Sequence, residues 1–440
     1  MMENVKIPKR ISTAIINSMT SGVVPRIGLE HIAVGRKKEV ETILRDLEGV
    51  SEGAAAFRFI MGRYGSGKSF LLQIIRNYAM DRDFVVADVD LSPEKRLSGS
   101  NNQGLATYRE LMQRLSTKVR PDGGALEAIL QKWINSVKSA VIQTGVSPID
   151  ESFAQLVEAQ IFETINKMDS FAHGFDFAYV LATYYRGYMH GEEAKKQAAI
   201  KWFRGEFVNK TQAREYLGVG EIVTDDNWYE YIKLFASFTA QVGYKGLILF
   251  IDECVNLYKV SHKQSRENNY EKLLAMFNDV MQGKAEHLAV YMGGTPQFIE
   301  DERRGLFSYQ ALKSRLIDNR FIREGYVDFN SPIIRLQQLS HEEIFVLLEK
   351  LTVIHAEHYQ YATHIEFKQI IAFMQEIMNQ LGANELLTPR EIVREYLGLL
   401  NILMQEENVA FEQLVREKAF EIGDTIGSDE GEDEYVGFEI

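Results

Sequence analysis

Cysteine occurs once in this 440-residue sequence, at Cys254, which excludes an internal disulfide and any cysteine-cluster zinc site. Its place at the end of an apolar strand points to packing rather than reactivity. Long apolar runs are also missing. Nothing approaches the roughly 20 residues of a membrane helix, and the start Met1-Met2-Glu3-Asn4-Val5-Lys6 lacks the apolar core of a signal peptide. The expectation is a cytoplasmic protein with no membrane association. Basic residues are outnumbered, 49 Lys and Arg against 62 Asp and Glu, for a formal net charge of −13. The last twenty residues hold eight acids and no base, which accounts for −8 and leaves −5 on the body. A local basic patch could still touch nucleic acid, but overall charge does not argue for it. With 45% hydrophobic and 25% charged residues the chain is ordinary globular material, long enough for two or three structural units.

The most informative run is Gly62-Arg63-Tyr64-Gly65-Ser66-Gly67-Lys68-Ser69-Phe70, which fits G-x-x-x-x-G-K-[ST]. It follows the apolar segment Phe57-Arg58-Phe59-Ile60-Met61 and precedes Leu71-Leu72-Gln73-Ile74-Ile75, so a strand leads in and a helix leads out. Only in that setting can curled backbone N–H groups and a helix N-terminus cradle a phosphate. Lys68 would then reach the β- and γ-phosphates of a nucleoside triphosphate, and the Ser69 hydroxyl would ligate Mg²⁺.

A second strand is expected over Phe84–Leu91, with aspartates toward its C-terminal end. A third, Gly246-Leu247-Ile248-Leu249-Phe250-Ile251, ends in Asp252-Glu253. Apolar residues followed by two acids suit a metal-organising Asp252 and a water-activating Glu253. Lys68 and Asp252 lie 184 positions apart, more than a minimal core needs. The spacing of Leu105, Tyr108, Leu111, Met112 and Leu115, then of Phe177, Val180, Leu181 and Tyr184, makes residues 104–240 a helical insertion.

Other residues carry weaker signals. Val34-Gly35-Arg36, ahead of an amphipathic helix through Val40, Ile43, Leu44 and Leu47, has the form of the turn that wraps adenine in AAA+ ATPases. Thr295 ends a strand beginning at Leu288 and is a candidate γ-phosphate sensor, or a plain Gly-Gly-Thr-Pro turn residue. Arg315, ahead of Arg320, Arg303 and Arg304, is the candidate arginine finger for a neighbouring subunit's site, with an ordinary surface arginine as the alternative. Thr388-Pro389-Arg390-Glu391 opens a helix and puts Arg390 where a lid would present a second sensor, or else a surface ion pair. His355, His358 and His364 lack further metal ligands and are expected on the lid surface. Lys210–Val219 reads either as the first half of a DNA-binding helix-turn-helix or as a helix closed by Gly218 on the core. The acidic tail, ending in Tyr435, Phe438 and Ile440, is a solvated element or a docking peptide for a protein partner.

Gly22-Val23-Val24-Pro25-Arg26, the Val34-Gly35-Arg36 turn, Phe57-Arg58-Phe59 before the phosphate loop, Trp202-Phe203-Arg204-Gly205-Glu206, and Gly243-Tyr244-Lys245-Gly246-Leu247 before Asp252-Glu253 together carry a resemblance. From about residue 10 to about residue 415 the chain resembles the ATP-binding proteins of BREX-type phage-defence loci. The resemblance implies an AAA+ (ASCE) α/β three-layer sandwich related to initiator and helicase-loader ATPases, an anti-phage role and a DNA helicase partner. The tail has no counterpart in that family pattern, and no separate winged-helix domain is expected after the lid.

The expected organisation is an arm at 1–27, an ATPase core at 28–330, a helical lid at 331–420 and the tail at 421–440. The expected function is a homo-oligomeric ATPase that loads or remodels a DNA-processing partner, with direct DNA contact open. The alternative is a nucleotide-gated switch or scaffold with slow hydrolysis.

Overall fold

A computed structural model describes residues 7–166, 173–320, 327–363, 365–379, 388–406 and 408–417. The tail from 418 onward and His364 lie outside the described residues. The chain divides into two compact units, Arg36–Gln338 and a second made from Met1–Gly35 with Leu339–Ile440.

The larger unit is built on five parallel strands: β1 (Ala55–Met61), β2 (Val85–Asp90), β3 (Leu247–Asp252), β4 (Leu288–Gly294) and β5 (Ile333–Arg335), in the order β2-β3-β4-β1-β5. A parallel sheet needs helices on both faces, which is why β3 and β4 are apolar and buried along nearly their whole length. Register brings the strand ends to one edge: Asp90 pairs with Asp252, Ile251 with Met292 and Met61 with Gly294. On β1, Phe57 packs edge-on against Phe277 at 5.6 Å between ring centroids. Arg58 grips both oxygens of Asp46 on the Lys37–Ser51 helix at 2.6 and 2.8 Å, and donates to the carbonyls of Phe329 and Ser331 ahead of β5.

Between β2 and β3 the chain makes seven helices among the described residues, from Gln103–Gln113 to Trp228–Gln241. Their core is aromatic. Phe177 lies edge-on to Phe203 at 5.1 Å and to Phe238 at 5.9 Å, Trp133 meets Phe238 at 5.6 Å, and Trp202 meets Tyr231 at 5.2 Å. The Trp228–Gln241 helix is buried almost all round and touches both β3 and β4, so it joins this helical region to the sheet. The helix-turn-helix alternative fails here. The Lys210–Leu217 helix stops at Gly218 with φ +78°, a stretch without helix covers 218–227, and the buried helix that follows has no free face for a DNA groove.

In the second unit the Lys9–Thr20 helix packs on the His341–Tyr359 and Pro389–Gln405 helices. Residues expected to form an arm of their own are thus part of a helical unit. Ile15 and Ile16 supply the reason, since an apolar stripe must be covered and both are buried here. Capping boxes of Ser340 with Glu343 and Thr388 with Glu391 start the two long helices. His355 is not on the surface. It is fully buried and bonded to the Tyr361 hydroxyl at 2.9 Å and to Asn401 Oδ1 at 3.0 Å. His358 bonds to Ser12 at 2.9 Å. No helix of the described residues is long and apolar enough to cross a membrane.

Asp225, just ahead of the Trp228–Gln241 helix, ties the first turn of the helical region to its last segment by accepting from the backbone N–H groups of Gly99 at 2.8 Å, Gly104 at 2.6 Å and Leu105 at 3.2 Å. Asp225→Ala leaves those donors without their acceptor and is expected to cost about 2–4 kcal/mol, read as a lower midpoint in thermal or urea unfolding. Asp225→Asn keeps one acceptor oxygen and should lose less.

Candidate functional site at the C-terminal edge of the sheet

The turn after β1 occupies the centre of the edge where the strands end. The N–H of Gly62 donates to the carbonyl of Gly294 at 3.1 Å, so β4 anchors the loop as it leaves the sheet. Gly65 and Gly67 sit at φ +76° and +85°, left-handed conformations that favour glycine. Gly67 is also the N-cap of the Lys68–Asp81 helix, whose first N–H groups and positive dipole end face out of the sheet edge. Ser66 is buried, Tyr64 is exposed and Phe70 is half-buried. The Lys68 ammonium folds back over the loop, donating to the carbonyls of Gly62 at 2.8 Å and Arg63 at 3.2 Å.

Asp252 closes β3 beside this loop. Its Oδ2 accepts from the Ser69 hydroxyl at 3.0 Å, and its Oδ1 accepts from the Glu253 backbone N–H at 2.8 Å. The carboxylate lies so close to β4 that a Cβ on Gly293 would stand 2.1 Å from Oδ1. Glu253 follows with φ +56°, a strained conformation for a residue with a side chain. Burial pushes the Glu253 carboxyl above its ordinary range, and the charges of Asp252 and Asp90 add to the rise while Lys68 opposes it. Asp90, across the register from Asp252, is raised in the same way by burial and then by Asp252. Cys254 is fully buried and burial pushes its thiol well up, in keeping with a packing role.

Chemically, Ser69 and Asp252 offer hard oxygen ligands close enough to share one small divalent cation, with phosphate and water left to complete an octahedral shell. That donor set fits Mg²⁺. Glu253 offers a carboxylate of raised basicity beside it.

The remaining sequence candidates stand as follows. Thr295 directly follows β4, and its hydroxyl caps the Pro296–Glu300 helix by accepting from the Phe298 N–H at 3.4 Å. Arg315 lies on the Gln310–Leu316 helix, where Nε donates to Asn278 at 2.9 Å and Nη1 to the Ala311 carbonyl at 2.7 Å. The backbone N–H groups of Arg303 and Arg304 are held by Asp301, and Arg304 lies over the Tyr258 ring at 5.3 Å. Arg320 follows the Arg315 helix, just before residues outside the described set. Val34, Gly35 and Arg390 belong to the second unit. There Gly35 adopts φ +61° with Glu343 so close that a Cβ would lie 2.4 Å from its Oε1, and the stem of Arg390 lies against Gly22. Among the described residues no side-chain cluster has the composition of a protein-only metal site.

Two residues of this edge carried no site role in the sequence expectations. Asp90 was visible only as an aspartate at a strand end. Arg36 adopts φ +60° and sends Nη2 to the Ser66 carbonyl at 2.9 Å, with a second, short bond to the Gln337 carbonyl. Its signal was the Val-Gly-Arg turn with Glu39 three residues on, which Nη1 meets at 3.5 Å.

A search of curated proteins finds no match to this chain. A family model described as BREX system ATP-binding protein BrxC/D matches residues 7–419. The matched span contains the phosphate loop, the strand-end acids and the helical region between them. The chain belongs to the BREX system ATP-binding protein family BrxC/D, and with it to the ATP-binding components of phage defence.

Proposed function

We propose that this protein is an oligomeric AAA+ ATPase that couples ATP binding and hydrolysis to the loading or remodelling of a DNA-processing partner, a helicase, in anti-phage defence. The observation that carries the reading is the 3.0 Å contact of Ser69 with Asp252, which joins a phosphate loop to a strand-end acid pair across 183 positions of sequence. A parallel sheet in the order β5-β1-β4-β3-β2, with the loop after β1 and the acids after β3, supports the AAA+ assignment.

In this reading the loop N–H groups and the start of the Lys68–Asp81 helix bind the β-phosphate. Lys68 leaves the carbonyls of Gly62 and Arg63 for the β- and γ-phosphate oxygens, replacing two neutral acceptors by charged ones. Bound Mg²⁺ supplies charge neutralisation of the triphosphate. Ser69 and Asp252 would hold it. Glu253 takes a proton from the attacking water, and its raised basicity suits that task. Thr295 orients the γ-phosphate or the water from the end of β4. Arg315 acts across a subunit boundary, which requires it to leave Asn278. Val34 and Gly35 contact the base, and the helical unit serves as a lid that presents Arg390. DNA and the helicase are partners in this reading, and the acidic tail docks a protein.

Glu253→Gln is expected to keep ATP affinity within about twofold while lowering steady-state turnover about 10²–10⁴-fold, measured by phosphate release beside equilibrium nucleotide binding. Appreciable turnover in that variant would remove Glu253 from the base role. Lys68→Ala should lose about 1.5–3 kcal/mol of ATP binding, the worth of charged hydrogen bonds. Chelating Mg²⁺ should abolish turnover. Turnover stimulated by DNA and weakened by salt, with ATP-dependent assembly on size-exclusion chromatography, is the signature of the loader. Slow turnover indifferent to DNA would replace it by a nucleotide-gated scaffold.

A further inference from the structure

Arg36 has no part in the roles above, yet its guanidinium is the junction of three segments. Its side chain is only 11% exposed. Nη2 is shared between the carbonyls of Ser66 in the phosphate loop and Gln337 after β5, while Nη1 faces Glu39 in the first turn of the Lys37–Ser51 helix. Arg36 and Gln338 are also the two ends of the larger unit, where the chain enters it and leaves it. The Leu336 N–H donates to the Met61 carbonyl at 2.7 Å, so the departing segment runs beside the strand that feeds the loop.

A planar trans peptide points its C=O and N–H in opposite directions. The carbonyl of Ser66 and the N–H of Gly67 belong to one such plane. A guanidinium that holds the carbonyl outward therefore turns the Gly67 N–H inward, toward the space where loop N–H groups meet phosphate. Gly67 does not hold that plane by itself, because glycine is conformationally permissive and here sits at φ +85°. The left-handed backbone of Arg36 itself is strained for a residue with a side chain, as though the position were fixed by what the guanidinium must reach.

We infer that Arg36 is a positioning residue for nucleotide: by bonding the Ser66 carbonyl it presets the Ser66–Gly67 peptide for phosphate, and by bonding Gln337 it reports loop occupancy to the segment leaving the unit. This rests on the phosphate loop being the ATP site. A lysine keeps the charge but is shorter and lacks the rigid planar guanidinium that aims Nη2 at both carbonyls.

The test uses the full-length protein, ATPγS with Mg²⁺, and hydrogen exchange of peptides covering 64–70 and 334–342. Arg36→Lys and Arg36→Gln are expected to weaken nucleotide binding about tenfold, the loss of about 1.4 kcal/mol, raising KM with kcat changed less than threefold. In both variants ATPγS should no longer protect 334–342, although it protects that peptide in the unaltered protein. Glu39→Gln loses only a 3.5 Å contact and should stay close to the unaltered protein. Arg36→Lys with unaltered affinity and unaltered protection of both peptides would overturn the inference, since charge alone would then suffice. If Arg36→Gln does not fold, Arg36→Lys decides. Absence of ATPγS binding in the unaltered protein, equal to that of Lys68→Ala, would instead sink the reading of the loop.

Discussion

Three carboxylates, Asp90, Asp252 and Glu253, meet at one edge of the sheet because parallel strands in register end side by side. Their mutual repulsion is the constraint around which the edge is arranged. Both oxygens of Asp252 are engaged, one by the Ser69 hydroxyl and one by the Glu253 N–H, and these bonds fix the acid relative to the phosphate loop. Glu253 adopts a left-handed backbone to make its bond, and β4 carries Gly293 because any side chain there would collide with the same carboxylate. Burial and like charge raise Glu253 and Asp90 together, and this tension is what a divalent cation and the ammonium of Lys68 are suited to relieve. The Lys68 bonds to Gly62 and Arg63 have the same logic in reverse: a cation at a loop of N–H donors needs acceptors, and the backbone carbonyls of the loop provide them.

Much of this edge was legible in sequence because it is made of side chains with strong local signatures. A phosphate loop needs small residues at fixed spacing, and a buried parallel strand needs a continuous apolar run, so β1, β2, β3 and β4 all announced themselves. β5 did not, since a three-residue strand, Ile333–Arg335, has no period to detect. Arg36 escaped because two of its partners are backbone carbonyls, which any residue could supply. His355 was misjudged for a related reason. A polar residue on a helix gives no sign of whether its partners are water or, as here, a buried tyrosine and asparagine. The Lys9–Thr20 helix was visible as a helix, but its covering partners come from more than 300 residues later, a distance over which pattern reading carries nothing.

The helical region between β2 and β3 is bound into the ATP-binding unit rather than hung from it. All three tryptophans of the chain, Trp133, Trp202 and Trp228, are buried in it. Trp228 also donates its indole N–H to the Leu97 carbonyl at 3.0 Å, in the segment whose backbone N–H groups Asn269 and Asp225 accept from. The phosphate-loop helix reaches the same region through Arg76. Arg76 is 6% exposed, and its guanidinium bonds Asp88 on β2 at 2.9 Å, the Ser116 hydroxyl at 2.8 Å and the Pro121 carbonyl at 2.8 Å.

A buried cation with every acceptor in place resists separation from any one of them, because the group left behind would be a desolvated charge. Asp88 is also gripped by Arg114 at 3.0 Å, and Arg114 by Glu110 at 2.6 Å, so the network runs from the helix that starts at Lys68 to the helix Gln103–Gln113. Within this network Arg76, at 7% side-chain exposure, is the buried cation, and Arg114, at 41%, is the exposed one. Removing the Asp88 carboxylate would leave the buried Arg76 guanidinium without its anionic partner, at a cost of about 3–5 kcal/mol by the usual penalty for an unpaired buried charge. The phosphate-loop helix and the base of the helical region are thereby joined through β2, and the surface of that region, rather than the sheet edge, is where this ATP-binding protein departs from a minimal one.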